Sequence, residues 1–331
     1  MVLERFGFPP RFCKLVRLFH TDLTVKVAIG DADVSVNSTT GVKQGCTLAP
    51  ILFSVYIQAV VEVLDARLNK AGLSHRSFLT KPDFKINGRK HNFRDQATDE
   101  FCMDRLFYAD DGEFHFESRE DLQRGCEIIF DVMKQFGLSC HVGRNGKLSK
   151  TEAMFFPRPR TSYEDADTSH LCIDGGTIPF VKKFKYLGSI ISADLKDDLE
   201  IDARIKAAGG AFASASKQFF TSKQIPLAHK KIAYEGLILS ILLFGSECWS
   251  LTADARRRLN SFHNRCVRQM CRISTWQQWK LHIHQQTMES RLDVKCLDVY
   301  LARRRLGWAG HLARMDHEKR LPRKLLSGWI D

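Results

Sequence analysis

The sequence predicts an α+β chain that is mixed in its first part and all helix in its last. Three observations carry this. Short β-type runs separated by turn residues recur as far as residue 195. From Asp197 onward, apolar residues fall almost throughout at helical spacing. The excess positive charge gathers in the last quarter. With 331 residues, 44% hydrophobic and 27% charged, the chain is long enough for two domains, expected at 1–195 and 196–331.

The elements follow in order. Phe12 to Asp22 reads as a short amphipathic helix after Pro9-Pro10. Thr24 to Ile29 and Val34 to Ser38 read as strands about a turn at Gly30-Asp31. Leu48 to Leu68 is a helix of buried-type residues, and Phe84 to Asn87 a strand closed by Gly88. Leu106 to Phe116 reads as two strands around Asp110-Asp111-Gly112, with Asp-Gly as the turn. Ser118 to Phe136 is a helix with Ser118 as N-cap, Asp121 three residues on, and Gly137 closing it. Lys150 to Phe156, Leu171 to Asp174, Thr177 to Val181 and Phe184 to Ile191 are expected strands. Helices are expected at Leu199 to Phe220, Ala228 to Leu243, Asp254 to Ile273 and Leu297 to Met315.

Composition narrows the function. No stretch reaches ~18 uninterrupted apolar residues, so no membrane span or membrane partner is expected; Gln58 and Glu62 interrupt the longest apolar zone. Met1 to Arg11 lacks the apolar centre of a signal peptide. An intracellular protein, nuclear or cytoplasmic and not secreted, is expected. Ten cysteines spread from Cys13 to Cys296 read as reduced thiols. The spacing of Cys266, Cys271, His282 and His284 fits no common finger, and no zinc is expected. Net charge is +12, and Leu251 to Asp331 carries 17 Lys/Arg against 7 Asp/Glu, while the first 250 residues carry 33 against 31. A segregated basic region fits a polyanion, whose condensed counterions each phosphate contact releases; a solvated basic helix surface is the alternative. The candidate nucleic-acid contacts are Arg256, Arg257, Arg258, Arg303, Arg304 and Arg305.

The chemistry centres on Leu106-Phe107-Tyr108-Ala109-Asp110-Asp111-Gly112. Two adjacent carboxylates at a hairpin tip call for neutralisation. Their oxygens suit Mg²⁺, which takes one or two carboxylates and completes its shell with water and substrate phosphates. Taken alone, the pair reads equally as a metal site or an exposed turn.

Its neighbours decide. Upstream stands Gly41-Val42-Lys43-Gln44-Gly45-Cys46-Thr47-Leu48-Ala49-Pro50; downstream stand Gly137-Leu138, Lys150-Thr151-Glu152 and Phe184-Lys185-Tyr186-Leu187-Gly188. In this order they resemble the palm of reverse transcriptases of non-LTR (LINE-type) retrotransposons. Ile225-Pro226-Leu227, Tyr234 and Leu242 to Trp249 resemble that family's thumb segment, and Arg304 to Met315 its C-terminal Trp-Gly-His segment. The resemblance covers essentially the whole chain. It implies a polymerase palm in 1–195, then an all-α thumb and basic helical region in 196–331. It implies an RNA template, a DNA primer, deoxynucleoside triphosphates and Mg²⁺. Asp110 and Asp111 would hold the metal; Gln44, Gly45 and Tyr108 would line the nucleotide and template pocket. Lys150 would sit near the leaving pyrophosphate, and Tyr186, Leu187 and Gly188 would form the primer grip. The blander readings are a surface strand lysine for Lys150, core packing for Tyr186 and Leu187, core anchors for Trp249 and Trp308, and a packing role for His311.

The sequence departs from the family in one main respect. The first catalytic aspartate belongs on a strand upstream of Gln44-Gly45, and Asp22, Asp31 and Asp33 lack that context. Leu3 to Ser38 matches what the family carries after that motif. A truncated enzyme, inactive alone, is therefore expected, with a non-catalytic RNA-binding fragment as the alternative. Smaller departures are Ala49 where Ser is usual and a longer link from Cys140 to Ser149, which makes Lys150 preferable to Lys147 and leaves Asn145 as a stand-in for the usual Asn.

Overall fold

The computed structural model describes residues 2–21, 23–30, 32–38, 41–43, 45–73, 77–81, 85–86, 89–90, 99–102, 105–144, 147–157, 163, 167–315, 322 and 329–330. Helix α1 (Val2–Arg5) and helix α2 (Pro10–His20) open the chain, the second started by a proline whose missing N–H costs nothing in a first turn. Strands β1 (Leu23–Ile29) and β2 (Ala32–Ser38) pair antiparallel from Leu23↔Ser38 to Ile29↔Ala32. Helix α3 (Ala49–Lys70) follows, with Pro50 in its first turn. At 22 residues and a mean hydropathy of 1.5 in its most apolar window, α3 is long and apolar enough to cross a membrane by length and composition. Uninterrupted runs were too strict a criterion for it. Its buried Val60 and Leu64 nevertheless pack on another helix of this chain.

Strands β3 (Ser77–Lys81), β4 (Lys85–Ile86), β5 (Arg89–Lys90) and β6 (Asp99–Cys102) are short. Strand β4 pairs with β5, and β3 lies between β6 and a C-terminal strand, Trp329–Ile330. Of the expected strand from Phe84 to Asn87, the two ends and Gly88 lie outside the described residues. Strands β7 (Arg105–Tyr108) and β8 (Asp111–Phe114) form a hairpin. Helix α4 (Arg119–Gln135) begins where Ser118 Oγ accepts the Asp121 N–H at 3.0 Å, and Gly137 follows its end in the left-handed region.

The expected strand at Lys150 to Phe156 is absent: only Ala153 bridges, to Phe180. Strands β9 (Leu171–Ile173) and β10 (Gly176–Ile178) form one hairpin. Strands β11 (Lys183–Tyr186) and β12 (Ser189–Ser192) form another, so Phe184 to Ile191 is two strands and a turn rather than one strand. The strands pair antiparallel, and among the described residues they are divided into separate small sheets.

The rest is helical. Helix α5 (Asp198–Ala215) runs into a π-helical turn, Ser216–Phe220. Helix α6 (Leu227–Ala233) and helix α7 (Leu239–Leu242) flank a second, Tyr234–Ile238. Helices α8 (Ala253–Met270), α9 (Thr275–Lys280), α10 (Gln285–Leu292) and α11 (Leu297–Ala313) complete the body. The sequence reading passed over α9 and α10.

Among the described residues, three cores hold these elements. Val60 and Leu64 of α3 meet Ile129, Val132 and Met133 of α4, with Phe107 and Phe114 against them. Behind α4, Val142, Ala153, Leu171, Ile173 and Ile178 form a second small cluster. The third is far larger and spans Ile201 to Leu301.

Candidate active site

The β7–β8 hairpin is two-faced, as alternation along a strand requires. Phe107 and Phe114 face the α3–α4 core as an edge-to-face pair, centroids 5.4 Å apart at 89°. Cross-strand pairing puts Tyr108 opposite Asp111 and Leu106 opposite Glu113 on the other face. That face is open: Tyr108 is 64% exposed, and Asp110 and Asp111 are exposed. The tip is Ala109-Asp110, with Ala109 at φ +54°. The Asp111-Gly112 dipeptide is therefore not the turn. Gly112 lies within β8, where a Cβ would stand 2.9 Å from the Phe107 ring. Its smallness lets the aromatic pair close beneath the carboxylates.

The β11–β12 turn comes to the same face. Burial first, and then the charges of Glu113 and Asp111, push the Tyr186 phenol above its usual range. The turn is Leu187-Gly188, at φ +47° and +90°, between the paired Tyr186 and Ser189. Two positive φ values are what a tight hairpin matching strand twist demands. A buried ion pair on α5 grips it. Glu200 accepts the Ile190 N–H at 2.7 Å and Arg204 Nε at 2.6 Å. Arg204 also donates to the Gly188 carbonyl and lies 4.4 Å above the Phe244 ring. Sequence reading missed Glu200, Arg204 and Phe244 in this role, although Glu200 and Arg204 stand at the i,i+4 spacing of a helical ion pair.

The other expected residues divide. Gln44 and Asn145 lie outside the described residues. Gly45 has φ +85° in a turn before α3, with open space where a side chain would be. Lys150 is exposed, on a loop rather than a strand, and its N–H meets His141 Nδ1 at 3.2 Å. Trp249 is buried in the large core, whereas Trp308 is 37% exposed beside His311.

The arginines divide too. Arg258 bonds Asp198 and Asp202 and lies 3.0 Å from Asp254, so its charge clamps α8 to α5 rather than facing outward. Arg305 donates to the Trp249 carbonyl at 2.8 Å, and Arg304 lies 3.8 Å from Glu247. Arg256 pairs with Asp298 at 3.3 Å and Arg257 with Asp254, both remaining largely open to solvent. Arg303 is exposed.

Residues 2–191 match the reverse transcriptase (RNA-dependent DNA polymerase) family. The chain belongs to that family. A reverse transcriptase acts on a nucleic-acid template and nucleotides and depends on a divalent metal. A transposon-derived protein of Caenorhabditis elegans is 31% identical over 219 residues, 64% of this reverse transcriptase and 72% of the relative. The residues present fit a divalent cation in kind. Asp110 and Asp111 offer oxygen donors at an exposed tip, and a hard cation can draw its other ligands from water and phosphates. Among the described residues, no third His, Cys, Asp or Glu completes a metal-holding group.

Proposed function

We propose that this reverse transcriptase derives from a non-LTR retrotransposon and copies RNA into DNA with Asp110 and Asp111 as its metal carboxylates. The observation that carries the site is the two-faced hairpin, which seats Phe107 and Phe114 in a core and leaves both aspartates open to solvent, with Asp111 and Glu113 acting on Tyr186. The element type is supported by motif order and by the contacts of Arg304 and Arg305 with Glu247 and Trp249, which join the two C-terminal motifs. The transposon-derived relative points the same way.

The roles are those the motif resemblance implies. Mg²⁺ held by Asp110 and Asp111 would offset charge on the transferring phosphate. Gln44, Gly45 and Tyr108 would serve the nucleotide and template, and the turn at Tyr186, Leu187 and Gly188 would hold the primer. Lys150 serves the leaving pyrophosphate. Palm residues occupy 1–195 and thumb and basic helices 196–331, in a protein of the cell interior. With two carboxylates in the metal group, the chain alone is expected to extend primers weakly or not at all.

Primer extension on an RNA template, wild type beside Asp110→Asn, tests this together with RNA binding. Extension that vanishes in the variant supports the carboxylate assignment and overturns the incomplete-site reading. Salt-sensitive RNA binding without extension supports the incomplete site and favours a binding role. Extension unaffected by Asp110→Asn sinks the assignment of the site.

A further inference from the structure

Between α8 and α10 the chain leaves the helical body and returns. Ile273 and Ile283 both pack against the large core, and α9 stands between them. Its start is fixed by a reciprocal cap: Ser274 Oγ accepts the Gln277 N–H at 3.1 Å, and Gln277 Oε1 accepts the Ser274 N–H at 2.9 Å. The Ile273 N–H reaches the Arg268 carbonyl, and the Ile283 N–H the Gln278 carbonyl. Arg272 at φ +60° and His282 at φ +50° bracket the segment, a backbone conformation that side-chain-bearing residues disfavour. The excursion is thus a fixed protrusion, held in place at a conformational cost.

It carries apolar side chains outward. Trp276 is 60% exposed, Trp279 74% and Leu281 64%. Residues three apart on a helix are surface neighbours, so the two indoles share one side of α9. Tryptophan has the most area to gain from burial, and a folded chain normally takes that gain. The Lys280 ammonium lies 4.5 Å from the Trp276 ring centroid. The segment's own charge has one sign. From Arg265 to Met288 there is no Asp or Glu, while Arg265, Arg268, Arg272 and Lys280 fall within that stretch. A second copy of this surface would bring the same positive charge and be repelled. An unpaired nucleic-acid strand brings both complements, phosphates for the cations and flat base faces for the indoles.

We propose that Trp276 and Trp279 form a stacking platform for a single-stranded stretch of RNA, with Arg272 and Lys280 meeting its phosphates. The choice of RNA rests on the family's template; the platform itself does not depend on polymerisation at Asp110. A base stacked on an aromatic side chain binds in a sequence-tolerant way, because every base has a π face. The site therefore takes unpaired RNA of any sequence and discriminates against duplex, whose base faces are already covered.

The test uses the full chain without metal or nucleotides, so a failure of polymerase chemistry does not touch it. Anisotropy is read with a fluorescent oligouridylate and with a duplex RNA of the same length. The W276A/W279A pair is expected to lose about thirtyfold or more in single-strand affinity, from two stacked bases at the low end of their measured strength. The salt slope is expected to stay unchanged, since the phosphate contacts remain. The W276F/W279F pair should keep most of the affinity, and W276L/W279L, equally apolar but without a π face, should lose it. Single-strand affinity unchanged in the alanine pair overturns the proposal, as does an equal loss on duplex. Leucine serving as well as phenylalanine also overturns it. Self-association in sedimentation that disappears in the alanine pair, with RNA affinity intact, assigns the patch to a protein interface instead.

Discussion

The hairpin region and the helical body handle charge in opposite ways. Around β7, β8 and α4 the cores are small, and the carboxylates Asp110 and Asp111 stand in solvent above an aromatic pair. From α5 to α11 one large core takes charged and polar groups inside: Glu200, Lys230, His263 and Glu289 are all buried. Each has a named contact. Lys230 Nζ donates to the Ser222 carbonyl at 2.7 Å, and burial lowers its pKa. His263 Nδ1 lies 2.8 Å from the Tyr234 hydroxyl, and its Nε2 3.8 Å from Glu289. The exposed carboxylates of the first region are available to ligands; the buried charges of the second fix packing. Removing the former should cost activity, and removing the latter should cost stability.

Arg204→Met gives the largest expected break of that contrast. It strands the Glu200 carboxylate in a buried site, and breaking such a pair typically costs about 3–5 kcal/mol. Chemical denaturation reads the loss, and faster hydrogen exchange at the Ile190 amide should show the turn released. A change within error would mean the pair is not the clamp.

The pH dependence of the body comes next. Burial lowers the His263 pKa to about 4, from an ordinary 6.5. The unfolded chain therefore binds the proton first, and stability is fully present above pH 6.5 and falls as pH drops towards 4. The shift corresponds to a contribution on the order of 3 kcal/mol. Melting curves across that window, with His263→Asn as the control that flattens them, check the sign. An unchanged slope in the variant would assign the acid sensitivity elsewhere.

Smaller effects belong to the hairpin region. Ser118→Ala removes the α4 cap and should cost about 1 kcal/mol by denaturation. Asp110→Asn and Asp111→Asn should move stability by less than about 0.5 kcal/mol, as exposed substitutions do. They should nevertheless weaken Mn²⁺ binding, read by paramagnetic relaxation of water. A large stability loss in either would place those carboxylates among the structural charges.

Much of this was legible in the sequence, at the level of elements and motifs. The hairpin before α4, the Ser118 cap and the long helices are local consequences of alternation, capping and periodicity. The Asp-Gly rule misplaced the turn because Gly112 serves a packing need between Phe107 and Phe114, which only the folded hairpin creates. Leu187 is no usual turn residue, so the β11–β12 turn hid inside an apolar run. Helix α9 escaped because its outward residues are tryptophans, although Ser274 and Gln277 spell a capping box. The inward roles of Arg258 and Arg305 depend on partners 56 or more residues away, a separation that no local pattern encodes.

The large core also sets a timetable. Ile201 of α5 is among its first members, and Leu297 and Leu301 of α11 are among its last, fully buried or nearly so. On the ribosome, α5 emerges well before α11 is made. Until α11 docks, the apolar surface it covers is open to water, and Arg305 has not yet reached the Trp249 carbonyl. The body therefore closes only late in synthesis. A nascent chain halted before Leu297 would present chaperones with a half-built core rather than a smaller folded one.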